Sequence, residues 1–456
     1  MKIYNGLKIR KIAAFLSTIG LFYLSLWLTL IIRYQSDYNV NLWQLHFEPF
    51  TWLFALWLII FYSFNLFDPA STQSGVQFLN QYLKVTVINL GLGFIYFYAF
   101  YPKNEIRPRT VLVILIGVFT IFYFVWRKLA HRINYQKKLY PAVLFIGYEP
   151  LIKEILPKSG AEQRYGYVYK GIVTNTPLDP EITNLTTYPF NQLTEAIKNE
   201  KISLLVINEP GNEEIINLLF KILPLRVNFV SLTNFYENIT YRVPLKIISR
   251  GWFLDNLAEG SKTFYESGKR LLDIILSLIF GFVALPLSPF IALAIKISSQ
   301  GPVIFKQIRV GKDGNNFVAL KFRTMYQNAE KSGATWAKEN DPRVTNIGRF
   351  FRKIRLDEIP QLINILKGDM SFVGPRPERP EFIDQLEKEI PFYRERLLIK
   401  PGLTGWAQIN LAYADSVEAT LKKLQYDLYY VKRRSLFFDL SIVLKTINII
   451  FKRGGR

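Results

Sequence analysis

Residues Ile12–Ile32 form an uncharged apolar run of 21 residues. At a rise of about 1.5 Å per residue, a helix of that length matches a hydrocarbon core of roughly 30 Å. Pro49–Phe67, Val85–Tyr101 and Thr110–Trp126 repeat the pattern, the third run short and the fourth just long enough. No small-residue cleavage site follows the first run, so it reads as a span rather than a removed signal peptide. Lys2, Lys8, Arg10 and Lys11 precede it, the loop 34–48 has no Lys or Arg, and Arg127, Lys128, Arg132, Lys137 and Lys138 follow the fourth run. Basic flanks mark the cytoplasmic side, so four spans with both ends inside fit, against the mild violation of Lys103, Arg107 and Arg109. The expected transmembrane region is 1–139.

The chain carries 57 Lys and Arg against 36 Asp and Glu, a net +21. That charge suits nucleic acid or an anionic membrane surface, and the apolar runs decide for the membrane. Cysteine is absent, which excludes disulfides, thiolate metal sites and thiol nucleophiles. Only His46 and His131 are present, both beside or between apolar runs, which argues against a Ser–His triad and a His-based zinc site. Acid, base and nucleophile must come from Asp, Glu, Lys, Tyr, Ser or Thr.

A fifth run is uncharged from Ile274 to Ile295, with Lys269 and Arg270 before it and Lys296 after it. Pro286 and Pro289 flank Ser288 near its middle. Each proline removes a backbone donor and clashes with the preceding turn, so the run reads as broken. A re-entrant helix over 271–297 and an ordinary kinked span both satisfy these residues. In the first case Ser288 is positioned to bond a backbone group freed at the break.

From 140 to 250, short apolar runs at 142–147, 167–173, 203–208 and 227–231 look like buried strands, with a helical stretch at 212–223. That suggests a small Rossmann-like α/β domain. "GYEPL" after the first strand lacks the GxGxxG fingerprint, so a structural or oligomerising role outranks dinucleotide binding.

The segment 265–456 reads as an α+β domain. Residues 297–456 hold 28 Lys and Arg against 17 Asp and Glu, a net +11, as a site for polyanions needs. "VIFKQIRVGKDGNNFVALKF" reads as a hairpin decorated by Lys306, Arg309, Lys321 and Arg323. A helix follows with apolar Ile347, Phe350, Phe351 and Ile354, then a second with Pro360 in its first turn, Leu362, Ile365 and Leu366 facing a core, and Gly368 at its stop. Two adjacent acids, Asp357 and Glu358, fall at the start of that second helix, among Arg349, Arg352, Lys353 and Arg355. Alone they read as a capping pair balancing the arginines. "FVGPRPERPE" then stiffens the chain around Arg376, and a rigid arginine fork suits a diphosphate. "KPGLTGWAQIN" (400–410) reads as an ordered wall of a pocket. Asp415, Glu418 and Asp427 read as surface helix charges.

Together, "KFRTM", "DPRVTNIGRFFRK", "RLDEIPQLINILKGDMSFVGPRPE" and "PGLTGWAQIN" resemble the signature blocks of the bacterial sugar transferases, the monotopic polyprenyl-phosphate phosphoglycosyl transferases. The resemblance covers roughly 265–456. More loosely, the spans, the α/β domain, "NFYENITYRVPLKII" and the ending "FKRGGR" are similar to long-form members of exopolysaccharide assembly systems.

The resemblance implies transfer of a sugar-1-phosphate from a nucleotide diphosphate sugar, usually UDP-linked, to undecaprenyl phosphate at the inner face of the bacterial plasma membrane. It implies Asp357 as nucleophile, Glu358 as a holder of Mg2+, and Lys321, Arg352 and Arg376 as phosphate contacts. Gln361 matches a further signature position. Because nucleotide sugars are cytosolic, it also favours the re-entrant reading, with the break at Pro286, Ser288 and Pro289. The C-terminal run with Asp439 and Lys445 then reads as an interfacial helix. A homodimer and downstream glycosyltransferases as partners stay open. The competing reading, a non-catalytic scaffold or transporter component, requires polar residues lining several spans, and the spans are poor in them.

Overall fold

The computed structural model describes residues 5–67, 75–101, 108–134, 140–156, 163–164, 167–177, 185–208, 213–257, 263–327, 329, 341–411 and 416–453. The chain divides into two compact units, Met1–Phe235 and Tyr236–Arg456.

The first unit opens with α1 (Asn5–Tyr34), α2 (Val40–Ser63), α3 (Gly75–Phe100) and α4 (Pro108–Asn134). All four are long and apolar enough to cross a membrane. All four extend beyond at least one end of the apolar runs, α2 and α3 the most informatively. Helix α2 begins nine residues before Pro49, where the Asn39 side chain accepts from the Leu42 N–H at 2.9 Å. Helix α3 takes in Lys84 and so outruns the uncharged segment. A run is cut by a charge or a proline, whereas backbone hydrogen bonding continues past both. Rings fill the bundle interior: Phe22 stacks on Phe54 at 4.9 Å and on Phe119 at 4.3 Å. Trp52, Val87, Ile95 and Ile121 face outward, an apolar exterior suited to lipid. Buried Thr18, Ser25 and Ser63 donate to carbonyls four residues back, on Ala14, Leu21 and Ile59. Those hydroxyls are satisfied within their own helices.

A largely parallel sheet follows. Its strands are β1 (Ala142–Ile146), β2 (Gln163–Arg164), β3 (Tyr167–Val173), β4 (Thr186–Tyr188), β5 (Leu204–Ile207) and β6 (Asn228–Ser231). The order is β2-β3-β1-β5-β6 with β4 beside β3, and only the β2–β3 pair is antiparallel. Helices α5 (Ile152–Ile155), α6 (Leu193–Asn199) and α7 (Glu213–Ile222) connect the strands. Leu144, Ile146, Leu205 and Ile207 lie with Leu193, Ile197 and Ile222 in the core. The four apolar runs of the sequence become β1, β3, β5 and β6; the first three are buried along nearly their whole length, as strands covered on both faces require, while β6 is a partly exposed edge strand. The short β2 and β4 carry polar residues and gave no such signal.

The division between units falls within α8 (Leu232–Thr240), which α9 (Arg250–Asn256) follows. Helices α10 (Thr263–Ala284) and α11 (Ser288–Ser298) then meet at a bend of 63°. Pro286 lies in the turn and Pro289 in the first turn of α11. Ser288 Oγ donates to the Ala284 carbonyl at 2.9 Å. Phe282, Leu285 and Phe290 are each more than 70% exposed, so the hairpin tip is apolar and uncovered within its unit.

The hairpin β7 (Ile304–Val310) and β8 (Asn316–Phe322) pairs in antiparallel register from Ile304↔Phe322 to Val310↔Asn316. Then come α12 (Asn346–Lys353), a 3-10 turn at Leu356–Glu358, and α13 (Gln361–Lys367). Thr345 caps α12 by accepting from the Gly348 N–H at 2.9 Å. Gly368, at φ 96°, ends α13 in the left-handed conformation that glycine adopts without strain. Asn364 fastens α13 to β8, accepting from the Leu320 N–H at 3.0 Å and donating to the Val318 carbonyl at 2.8 Å.

Strand β9 (Ser371–Val373) pairs in parallel with β10 (Gly402–Thr404), and α14 (Pro380–Glu389) lies between them in sequence. Gly402 packs so closely on the Gly374 backbone that a side chain there has no room. Helices α15 (Trp406–Asn410), α16 (Val417–Arg433) and α17 (Leu436–Arg453) complete the unit. Met370, Phe372, Ile383, Leu397, Leu424, Leu428 and Ile442 share its core. Two expectations change here. Leu366, read as core-facing, is exposed. Asp427, read as a surface charge, is fully buried against Arg396. Glu418 is exposed, and Asp415 lies outside the described residues.

Candidate active site

Arg355 adopts the left-handed conformation at φ 59° and turns the chain out of α12 into the 3-10 turn. That turn presents Asp357 and Glu358, both buried. Their surroundings differ. Glu358 Oε1 accepts from Arg376 Nη2 at 3.0 Å and from Lys321 Nζ at 3.4 Å, while Oε2 accepts from Arg355 Nη1 at 3.2 Å. No hydrogen bond or ion pair among the described residues reaches the Asp357 carboxylate.

The electrostatics separate the two acids in the same sense. Burial raises the Asp357 pKa and the neighbouring Glu358 charge raises it further, and the pull of Lys321, Arg352 and Arg376 does not offset this. Burial pushes Glu358 up as well, but Arg376, Lys321 and Arg355 outweigh it and hold that carboxyl far below its ordinary value. Burial also lowers the Lys321 pKa, against the pull of Glu358. One acid is therefore locked as a carboxylate among cations. The other is a more basic carboxylate with free lone pairs.

Beside the pair lies a small cleft lined by Arg309, Ala319, Lys321, Gln361, Arg376, Pro377 and Gly402. The structure thus brings Lys321, Gln361, Arg376 and the acid pair together. Arg352 Nε donates to Thr324 Oγ1 at 2.8 Å, and its charge acts on Asp357. Pro286, Ser288 and Pro289 stand at the α10–α11 bend, outside the cleft lining.

Two contributors stood in the sequence reading without a role in the site. Arg309 lines the cleft, and side-chain parity on the hairpin was the signal, since Gln307, Arg309, Ala319 and Lys321 share one face in the observed register. Arg355 pairs with Glu358 three residues on, a spacing visible in the sequence. Behind the cleft, consecutive carbonyls of the Arg376 loop are each held. Gly402 N–H bonds Pro375, Arg396 Nη2 bonds Arg376 at 2.9 Å, Arg309 Nη1 bonds Pro377 at 3.0 Å, and Val310 N–H bonds Glu378. Arg376 is thereby fixed from behind.

Among the described residues, no three His, Cys, Asp or Glu gather as metal ligands. The acid pair fits a different mode, in which one or two carboxylates and substrate phosphates hold magnesium. A carboxylate offers about four acceptor sites. Three on Glu358 are taken, leaving one on Oε2 next to the open Asp357.

The family model of the bacterial sugar transferases matches residues 264–453. A UDP-N-acetylgalactosamine-undecaprenyl-phosphate N-acetylgalactosaminephosphotransferase of Aeromonas hydrophila is 48% identical over 191 residues, 42% of this chain and 45% of the relative. A UDP-glucose:undecaprenyl-phosphate glucose-1-phosphate transferase of Escherichia coli K12 is 44% identical over 181 residues, 39% of each chain. One of the same name from Caulobacter vibrioides is 40% identical over 181 residues, 39% of this chain and 68% of the relative. The chain thus spans less than half the length of the first two. The four N-terminal apolar helices fit a long form. With its acid pair, cationic cleft and matched segment, the chain belongs to the bacterial sugar transferase family.

Proposed function

We propose that the protein transfers a sugar-1-phosphate from a UDP-sugar to undecaprenyl phosphate at the inner membrane face, in exopolysaccharide or related glycan assembly. The asymmetry of the acid pair carries this reading: Glu358 is held by three cations, while Asp357 is buried, adjacent and free. A free Asp357 oxygen attacks the β-phosphorus, a P–O bond forms, and the diphosphate bond breaks with its electron pair leaving on UMP. An oxygen of the lipid phosphate then attacks the same phosphorus. The aspartyl bond breaks, the carboxylate is restored, and a lipid-diphosphate-sugar leaves.

An anionic nucleophile must approach an anionic donor. Two unit charges at 4 Å cost about 4 kcal/mol at an effective dielectric near 20. Lys321 and Arg376 at the cleft, and Arg352 behind it, offset that repulsion. Glu358 keeps Arg376 and Lys321 aimed at the cleft and, with Asp357, would hold magnesium, which when bound neutralises part of the diphosphate charge. Gln361, which lines the cleft, would bond the donor.

The bent, apolar α10–α11 pair supports a re-entrant insertion that keeps the catalytic unit on the cytoplasmic side. Helix α17 suits the interface, with Phe437 and Leu440 exposed and Asp439 turned inward.

The test is direct. Purified protein with undecaprenyl phosphate and magnesium is given a panel of UDP-sugars, and UMP release is measured. One donor should release UMP, Asp357→Asn should abolish release, and Asp357→Glu should nearly do so. Full activity in Asp357→Asn would remove the nucleophile.

A further inference from the structure

Three charged residues near the start of α10 take no part in the reaction as drawn: Lys269, Arg270 and Asp273. Lys269 and Asp273 are buried, one helical turn apart on the same face. Lys269 Nζ donates to the Val373 carbonyl at 3.0 Å and to Tyr430 Oη at 3.1 Å, and pairs with Asp439 Oδ2 at 2.9 Å. Asp273 Oδ1 accepts from the Phe372 N–H at 2.9 Å and from Ser371 Oγ at 3.0 Å. Both therefore grip β9, the strand that runs directly into the Arg376 loop.

Arg270 points to a different element. Its Nη1 and Nη2 donate to the Ile365 and Leu366 carbonyls, each at 2.6 Å. These belong to the last turn of α13, where the Ile365 carbonyl also accepts from the Gly368 N–H at 3.0 Å. No carboxylate pairs with Arg270 among the described residues, so its fork serves this helix end. Helix α13 starts just after Glu358. Three residues within one short stretch of α10 thus hold both carriers of the site: β9, which delivers Arg376, and α13, which follows the acid pair.

We infer that Lys269, Arg270 and Asp273 form a positioning clamp that sets Arg376 against the Asp357–Glu358 pair. None of the three touches the cleft. The inference rests on the assignment of Asp357 and Glu358 as the reacting pair. If the clamp loosens, Arg376 and the acids separate while the donor's own contacts persist. The loss then falls on kcat rather than KM, since a displacement of about 1 Å can cost about 10²-fold in rate.

The chain lacks cysteine, so two introduced cysteines carry spin labels without background. Ile363→Cys on α13 and Glu381→Cys at the start of α14, where the Arg376 loop that leaves β9 ends, are exposed sites that report the separation of α13 from that loop. Pulsed electron resonance on the full chain in lipid nanodiscs should give a narrow distance distribution. Arg270→Gln should roughly double its width and lower kcat for UMP release about 10²-fold, with KM for the UDP-sugar within about threefold. Asp273→Asn keeps the acceptor oxygen and should retain the narrow distribution, whereas Asp273→Ala should not. A wild-type width and kcat in Arg270→Gln would overturn the clamp, as would equal losses in Asp273→Asn and Asp273→Ala. Should the unmodified chain release no UMP from any donor, the function fails, and the distance distributions still judge the clamp.

Discussion

Replacing Asp427 with alanine removes the partner of a guanidinium that has no route to water. Arg396 and Asp427 side chains are 1% and 2% exposed, and Oδ2 accepts from Nε at 3.0 Å and from Nη2 at 2.8 Å. Breaking such a pair from one side costs about 3–5 kcal/mol, because the remaining charge stays buried. A domain holds roughly 5–15 kcal/mol in total. About 4 kcal/mol corresponds to a change of roughly 10³ in the opening equilibrium. A chain of several units does not unfold in one step, so the readout must be local. Hydrogen exchange in nanodiscs should show α16 and residues 393–398 opening about 10²- to 10³-fold more often, with α1–α4 unchanged. Arg396→Met combined with Asp427→Leu, which fills the site with apolar atoms, should recover most of the protection. UMP release should fall in the single variant, because Arg396 also holds the Arg376 carbonyl. Exchange within about tenfold of the unmodified protein would refute the reasoning, as would a double variant no better than the single.

Arg376→Ala removes one of the three cations on Glu358 and one wall of the cleft, and should lower kcat about 10²- to 10³-fold, measured as UMP release. Glu378 is pushed up by burial, but Lys423, Arg396 and Arg309 outweigh this and hold its pKa at about 2, against 4.5 for an ordinary glutamate. Its contribution of about 3 kcal/mol should be complete above pH 4.5 and lost as pH falls towards 2, and Glu378→Gln should flatten that limb of the stability profile. A profile identical in the two proteins would count against it. Cysteines introduced at Asn5 and Arg453 should be labelled from the same side of the membrane, and opposite labelling would refute the re-entrant insertion.

Much of the framework was legible because it follows from local pattern. The β7–β8 hairpin, the glycine stop at Gly368 and the strands β1, β3, β5 and β6 each rest on neighbouring residues. The acid pair and its cations were legible too, since Asp357, Glu358 and Arg376 sit within one continuous block. What escaped has two physical origins. Leu366 shows helical apolar spacing, and such spacing marks a lipid-facing or uncovered surface as readily as a core. Asp427 lies on a helix of mixed charge, and its partner is 31 residues away, so only the tertiary fold distinguishes it from an exposed acid such as Glu418. Arg270 and Asp273 escaped for the same reason, since they act on backbone groups nearly 100 residues further along the chain.

The most direct measurement of the central claim is a rapid acid quench with the donor but without undecaprenyl phosphate, followed by peptide mass spectrometry. A phosphosugar adduct should appear on the peptide containing Asp357, disappear when the lipid phosphate is added, and be absent from Asp357→Asn. An adduct on another residue, or none at all while UMP is still released, would contradict a covalent role for this carboxylate.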